Sequence, residues 1–138
     1  MVTGETMSEL LTYLITRLSF LYNDYGTRFV DSQVRGPHAA LVLEAGPLRL
    51  RLLRDRSQVF VDFQSAENPS EDDWFSFDMI RQLLTGEVID SAEMDDEKAK
   101  FINDYFEAIT EAFRPTNRKE TEKKLHEYEH ARAERLFG

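Results

Sequence analysis

The sequence predicts an α+β fold: an antiparallel β-meander of about four strands, packed on one face by an N-terminal helix and C-terminal helices. Three observations predict it. First, turn-forming residues interrupt residues 39–64 at two points. Second, folding the chain at these points places apolar side chains on one face and charged side chains on the other. Third, apolar residues recur at helical spacing on both sides of residues 39–64. The chain has 138 residues, enough for a substantial core, so we expect residues 1–138 to form a single domain.

The centre of the chain is predicted to form two tight hairpins, with turns at Gly46-Pro47 and Arg56-Ser57. Folding the chain there sets Leu43 beside Leu50 and Leu50 beside Phe63. It likewise sets Leu41 beside Leu52 and Leu52 beside Val61. Strand side chains alternate, so these residues share one apolar face.

The opposite face of the hairpins is predicted to be charged. Glu44 lies beside Arg49, and Arg51 lies beside Asp62, which favours pairing across the strands. A slip of one residue would bury the arginines, so the register is well specified. We interpret this face as paired and solvated. Residues 25–34 are predicted to add a first strand, closed by a turn at residues 35–37.

A helix is predicted at the N-terminus, with Thr6 or Ser8 as its cap. Its apolar residues recur at helical spacing: Met7, Leu10, Leu11, Leu14, Ile15, Leu18, Leu21 and Tyr22. Interrupting polar residues argue against a membrane span. A signal peptide is not expected either, because no basic region precedes an apolar core with a cleavage site. We therefore expect a cytoplasmic protein with no membrane partner.

Three further helices are predicted in the second half of the chain. One covers residues 77–84, with Ser76 as N-cap and Gly86 as its stop. Another covers residues 95–113 and ends before Pro115. The last begins near Asn117, where Asn117 and Glu120 fit a capping box.

The acidic charge is concentrated in one segment. Residues 67–111 hold fourteen acidic side chains against three basic ones, a net charge of −11, whereas the whole chain carries −9. Such a surface repels nucleic acid and attracts basic proteins. A solvated helix-start role for these acids is the competing interpretation.

Five residues in and beside this segment are the predicted partner-binding residues. Asp72 and Asp73 precede Trp74, and Asp95 and Asp96 follow twenty-odd residues later. Aromatic anchors ringed by charge are typical of protein interfaces. The partner predicted is a basic protein. Alternatively, Trp74 packs the short helix onto the sheet.

One short motif has the pattern of a zinc site. His126, Glu127 and His130 form H-E-x-x-H on a predicted helix, the spacing with which two histidines bind zinc and a glutamate activates water. The helix is charged on all sides, and eight residues follow His130, too few for a distant third ligand. We therefore expect no metal, and a metal-dependent hydrolase is the alternative hypothesis.

Other catalytic signals are absent from the sequence. There is no cysteine, and neither a phosphate-binding glycine motif nor a G-x-S-x-G nucleophile motif occurs. We expect no cofactor and no enzymatic activity.

Two runs carry a resemblance, Trp74-Phe75-Ser76-Phe77-Asp78 and Leu83-Leu84-Thr85-Gly86-Glu87. With its small size, acidity, α+β layout and lack of cysteine, the chain resembles the immunity proteins of bacterial toxin systems. The resemblance implies a bacterial, cytoplasmic, non-enzymatic protein that occludes a basic toxin such as a nuclease. A third hypothesis is an oligomeric bacterial protein, since a helical face or a strand edge could join copies of the chain.

Overall fold

The computed structural model describes residues 2–23, 25–67 and 69–138, with side chains from residue 7 onward except that of Tyr22. Its strands form one antiparallel sheet in the order β1-β2-β3-β4-β5. The strands are β1 (Arg28–Arg35), β2 (His38–Ala45), β3 (Leu48–Asp55), β4 (Gln58–Ser65) and β5 (Phe75–Ser76). The helices are α1 (Val2–Arg17), α2 (Phe20–Asn23), α3 (Phe77–Thr85), α4 (Asp96–Ala112) and α5 (Arg118–Phe137).

The predicted hairpins and their register are confirmed. Leu43 pairs with Leu50 and Leu50 with Phe63, while Leu52 lies between Leu41 and Val61. These side chains are buried and form the centre of the core, with helices packed over them. The α+β architecture is therefore the one that the alternation of residues predicts.

The first strand is shorter than predicted and irregular. It covers Arg28–Arg35 rather than residues 25–34, and its register with β2 shifts between Phe29 and Asp31. The fifth strand, Phe75–Ser76, was not predicted at all. It pairs with Asp62 and Phe63 of β4 and returns the chain to the sheet.

The helices α3 and α4 have boundaries close to those predicted. Gly86 stops α3 in the left-handed conformation, with φ +77°, and its N–H donates to the carbonyl of Gln82. Asp95 caps the start of α4, where its Oδ1 accepts a bond of 2.9 Å from the N–H of Lys98. That helix ends at Ala112, three residues before Pro115.

The predicted caps of α1 and α5 are wrong. The first helix begins at Val2, so Thr6 and Ser8 lie inside it, and it ends at Arg17 before the separate turn α2. Asn117 precedes α5 but has helical backbone angles, and its side chain donates to the carbonyl of Glu111 at 3.0 Å. The Asn117 side chain thus closes the connection from α4 instead of capping α5.

Among the described residues, no helix combines the length and apolarity that a membrane crossing requires.

Candidate protein-binding surfaces

The predicted acidic residues fall into two groups whose contacts lie on different elements. Asp72 and Asp73 belong to a 3-10 turn, Glu71–Asp73, that follows β4 and precedes β5. Asp95 and Asp96 stand at the start of α4. Asp73 lies 3.6 Å from His126 of α5, whereas Asp96 forms an ion pair of 2.8 Å with Arg17 of α1. The structure therefore gives no contact that joins the two groups.

The 3-10 turn is held by Ser70. Its hydroxyl accepts a bond of 3.2 Å from the N–H of Asp72, while its carbonyl accepts one of 2.8 Å from the side chain of Gln64. The Asp72 carboxylate is exposed, whereas Asp73 is half-buried. The turn thus presents Asp72 to solvent beside Trp74.

Trp74 leaves this turn and lies over the charged face of the sheet. Its ring is 4.7 Å from the guanidinium carbon of Arg51 and 6.0 Å from that of Arg49, within the range of cation–π contacts. The residue is half-buried. Trp74 therefore covers the sheet with one part of its surface and offers only the remainder to a partner.

Of the two predicted ion pairs on the charged face, Arg51–Asp62 forms and Glu44–Arg49 does not, and the Arg51–Asp62 pair is not solvated, so those parts of the interpretation are wrong. Two nitrogens of Arg51 donate to one Asp62 oxygen at 2.7 and 3.2 Å. Asp62 is 8% exposed. Burial raises the pKa of the Asp62 carboxyl, and the bond and charge from Arg51 oppose that shift. The reason is the unpredicted return of residues 74–76, which places Trp74 and Ser76 beside the pair.

Arg49 does not pair with the residue opposite it. Glu44 faces Arg49 in the sheet but forms its ion pair with Arg28, at 2.7 Å. Among the described residues, the buried Nε of Arg49 has no hydrogen-bond partner. Arg49, Arg51 and Trp74 line a cleft of about 150 Å³ on this face. The cleft leaves one guanidinium without a carboxylate.

A second surface is formed by residues 86–97, which we name the acidic loop. Its six acidic side chains are all exposed: Glu87, Asp90, Glu93, Asp95, Asp96 and Glu97. Among the described side chains, no ion-pair partner lies within 4 Å of Asp90, Glu93 or Asp95. Val88 is 48% exposed between these charges. The acidic loop therefore combines uncompensated negative charge with an accessible apolar side chain.

The acidic loop is fixed at three points. The N–H of Met94 donates to the carbonyl of Val59 at 2.7 Å, and the Met94 side chain is buried. The ammonium of Lys98 donates to the carbonyls of Ser91 and Glu93, at 3.1 and 2.7 Å. The first bond ties the loop to β4, and the Lys98 bonds fold it onto the start of α4.

Arg81 of α3 closes the loop between its two ends. Its guanidinium binds Glu97 at 2.8 Å and lies 3.5 Å from Glu87. The guanidinium also stacks 4.9 Å from the ring of Phe101. The ends of the loop are thus tied to one half-buried side chain.

The charge of the loop acts on the helix beside it. Burial, followed by the charges of Asp95 and Asp96, raises the pKa of the Tyr13 hydroxyl to about 12. Tyr13 lies in α1, so the negative field extends from the loop into the neighbouring helix. A basic group that approached this surface would meet the same field.

The H-E-x-x-H histidines face different carboxylates. His126 lies 3.0 Å from Glu129 and 3.6 Å from Asp73, with its ring against Phe75, whereas His130 lies 3.3 Å from Glu134. In the described part of the chain, no group of three or more histidine or acidic side chains is arranged to hold a metal ion. The hydrolase hypothesis therefore gains no ligand set from the structure.

Sequence reasoning located the charge but not its arrangement. Asp95 and Asp96 belong to the acidic loop, yet Asp90 and Glu93 were not among the predicted site residues. A sequence signal for these residues does exist: directly after the helix stop at Gly86, acidic residues recur every one to three positions from Glu87 to Glu97. The contacts of Arg81 and Met94 that hold the acidic loop in place join distant parts of the chain, so no local sequence pattern indicates them.

Comparison of the chain with protein-family models, with curated proteins and with solved structures found no match in any of the three.

Proposed function

We propose that this chain is a non-enzymatic binding protein that engages a basic protein through the acidic loop. The observation that carries the proposal is the fixed loop of six exposed carboxylates, three of them without an ion pair. A loop that is already ordered loses little conformational entropy on binding. Its uncompensated charge attracts basic surfaces from a distance and orients their approach.

The particular role we propose is that of a cytoplasmic immunity protein in a bacterial toxin system. A nuclease toxin must carry basic residues where it binds phosphates. An acidic surface of matching shape competes for those residues and so occludes the site. The resemblance of the chain to immunity proteins and its net charge of −9 both support this role.

Asp72, Asp73 and Trp74 are proposed as a second contact with the partner. Asp72 is exposed and has no ion pair within the described part of the chain, and part of Trp74 is accessible beside it. Asp73 is engaged with His126 and Trp74 with Arg51. We therefore assign to Asp72 the larger share of the electrostatic contribution from this group.

Co-expression with the protein encoded by the neighbouring gene tests the proposed role. The test variant is Asp90→Lys with Glu93→Lys, because neither side chain has an ion pair that the change would break. The matched control is Glu107→Lys with Glu127→Lys, two exposed acids outside the loop for which the described side chains provide no ion pair. Both variants change the net charge equally.

We expect the wild-type chain and the control variant to protect cells from a toxic neighbour and the loop variant to lose protection. Full protection by the loop variant would contradict the role of the acidic loop. A neighbouring gene whose product is not toxic would contradict the immunity role itself. Circular dichroism of the three purified chains verifies that each is folded.

A further inference from the structure

We propose that two copies of this chain associate through the free edge of β1, joining their sheets into one across a two-fold axis. The inference rests on β1 and its neighbours and is independent of the acidic loop. Among the described strands, β1 pairs only with β2, and nearly all of its residues are exposed. An exposed strand edge is a template for pairing with another strand.

The backbone groups at this edge are available for pairing. Arg35 pairs with His38 across the two-residue turn, and hydrogen-bonded pairs alternate from there along an antiparallel ladder. Ser32 and Val34 therefore direct their N–H and carbonyl groups away from β2. Within one copy the N–H of Ser32 donates to the Asp31 carboxylate, at 2.9 Å, and pairing exchanges this local bond for one to the second copy.

The charges of β1 select one register and a second copy as the occupant. Asp31 and Arg35 are exposed, and neither has an ion pair within the described part of the chain. They lie four residues apart, roughly 13 Å along a strand, too far to reach each other. Antiparallel pairing centred on Gln33 places Asp31 of each copy opposite Arg35 of the other, which gives two pairs of opposite charges. The same register pairs Ser32 with Val34 of the second copy, so the outward-directed groups meet.

An apolar groove lies at one end of this pairing. The irregularity at Phe29 and Asp31 limits the regular ladder to residues 31–35. Beyond it, Phe29 and Val30 are 52% and 41% exposed and line a groove of about 500 Å³ with Met7 and Leu11 of α1. The selected register brings the 36–37 turn of the second copy beside Phe29 and Val30. Burial of this groove would add a hydrophobic contribution to the ladder.

The opposite edge of the sheet explains why association would stop at two copies. The strand β5 has only two residues, and α5 lies beside it. The ring of His126 is 5.1 Å from that of Phe75, and Arg132 contacts Asp78 at 3.1 Å. Two-fold pairing uses the same β1 edge in both copies, and the opposite edge offers only the two residues of β5, so the association closes as a dimer instead of continuing as a fibre.

Sedimentation equilibrium of the full chain and of charge variants tests this dimer. Asp31→Arg and Arg35→Asp each place like charges opposite one another in the selected register, and the double variant restores opposite charges. Glu107→Arg and Arg135→Asp are the matched controls, at exposed positions away from β1 that have no ion pair among the described residues. We expect each single β1 variant to raise the dimer dissociation constant about tenfold or more. The double variant and the controls should remain near the wild-type value.

Amide exchange supplies a second readout that does not depend on the variants. The amides of Ser32 and Val34 should become protected as the protein concentration rises through the dissociation constant. A wild-type chain that remains monomeric throughout would overturn the proposal. So would a dimer that the single reversals leave unchanged, or one that the double variant does not restore.

Discussion

At the scale of single residues, burial changes what the Arg51–Asp62 pair contributes. An exposed ion pair of this kind typically contributes less than about 1 kcal/mol, because water screens it. Here the Asp62 side chain is 12% exposed and that of Arg51 is 23% exposed, with Trp74 stacked on the guanidinium. Removing Arg51 would therefore leave a buried carboxylate without its partner.

We expect Arg51→Ala to lower the free energy of unfolding by about 3 kcal/mol, because breaking one side of a buried pair is costly. Urea denaturation of the variant and the wild type measures the difference. Arg135→Ala, at an exposed arginine that has no ion pair among the described residues, is the control and should change stability little. A loss of under about 1 kcal/mol for Arg51→Ala would show that water screens the pair after all.

The raised pKa of Asp62 gives a pH dependence of known sign. The folded chain holds the Asp62 proton more tightly than the unfolded chain, whose ordinary value is 3.8. This contribution to stability is complete below that value and is lost as the pH rises through the raised pKa. Relative to Asp62→Asn, which does not titrate, the wild type should become less stable as the pH rises from about 4. A stability difference that stays constant or changes in the opposite direction would refute the assigned shift.

Leu50 provides the corresponding test on the apolar face. It is fully buried between Leu43 and Phe63. Truncation removes buried methyl groups and leaves a cavity, so Leu50→Ala should cost about 2–5 kcal/mol. Thermal and urea unfolding measure that cost. A cost near zero would place Leu50 outside the core and the register in error by one residue.

At the scale of elements, local signals predicted the hairpins and most helix limits. Gly46-Pro47, Arg56-Ser57 and Gly86 act through backbone conformation, which their own residue types determine. The strand β5 was missed because two residues carry no periodicity, and only pairing with Asp62 and Phe63 makes them a strand. Because β5 returns the chain to the sheet beside Arg51 and Asp62, the burial of this ion pair was missed together with the strand.

The acidic loop at the candidate site was likewise predictable in its local features but not in its long-range contacts. Its charge is a property of the sequence and was predicted, including Asp95 and Asp96. Its fixed shape depends on Arg81 and on the bond from Met94 to Val59, which join residues far apart in the chain. Binding by this loop and by Asp72, Asp73 and Trp74 remains a prediction.

Gly86 offers a test of how α3 ends and the acidic loop begins. Its φ of +77° is unfavourable for a side chain, although a Cβ would meet no atom within 4 Å. Gly86→Ala should therefore lower the unfolding free energy by about 1 kcal/mol through backbone strain alone. Urea denaturation measures it, and Gly86→Asn should cost less because asparagine tolerates this conformation. Equal stability of the alanine variant and the wild type would contradict the left-handed end of α3.

At the scale of the whole molecule, charge is separated from the apolar core and concentrated at the acidic loop. The sheet and its helices provide a rigid support, and Arg81, Lys98 and Met94 fix the loop to it. Under the proposed function, the partner is recognised through this preformed surface. The association rate should then depend on the loop, and the dissociation rate on buried contacts such as Trp74.

The most direct measurement of the central claim is the association rate with the proposed basic partner as a function of salt concentration. We expect the wild-type rate to fall as salt rises, because salt screens the attraction between opposite charges. Asp90→Lys with Glu93→Lys should lower the rate and flatten its salt dependence, whereas Glu107→Lys with Glu127→Lys should preserve most of both. Trp74→Ala should mainly raise the dissociation rate. If the loop variant associates as fast as the control variant at every salt concentration, the acidic loop is not the binding surface.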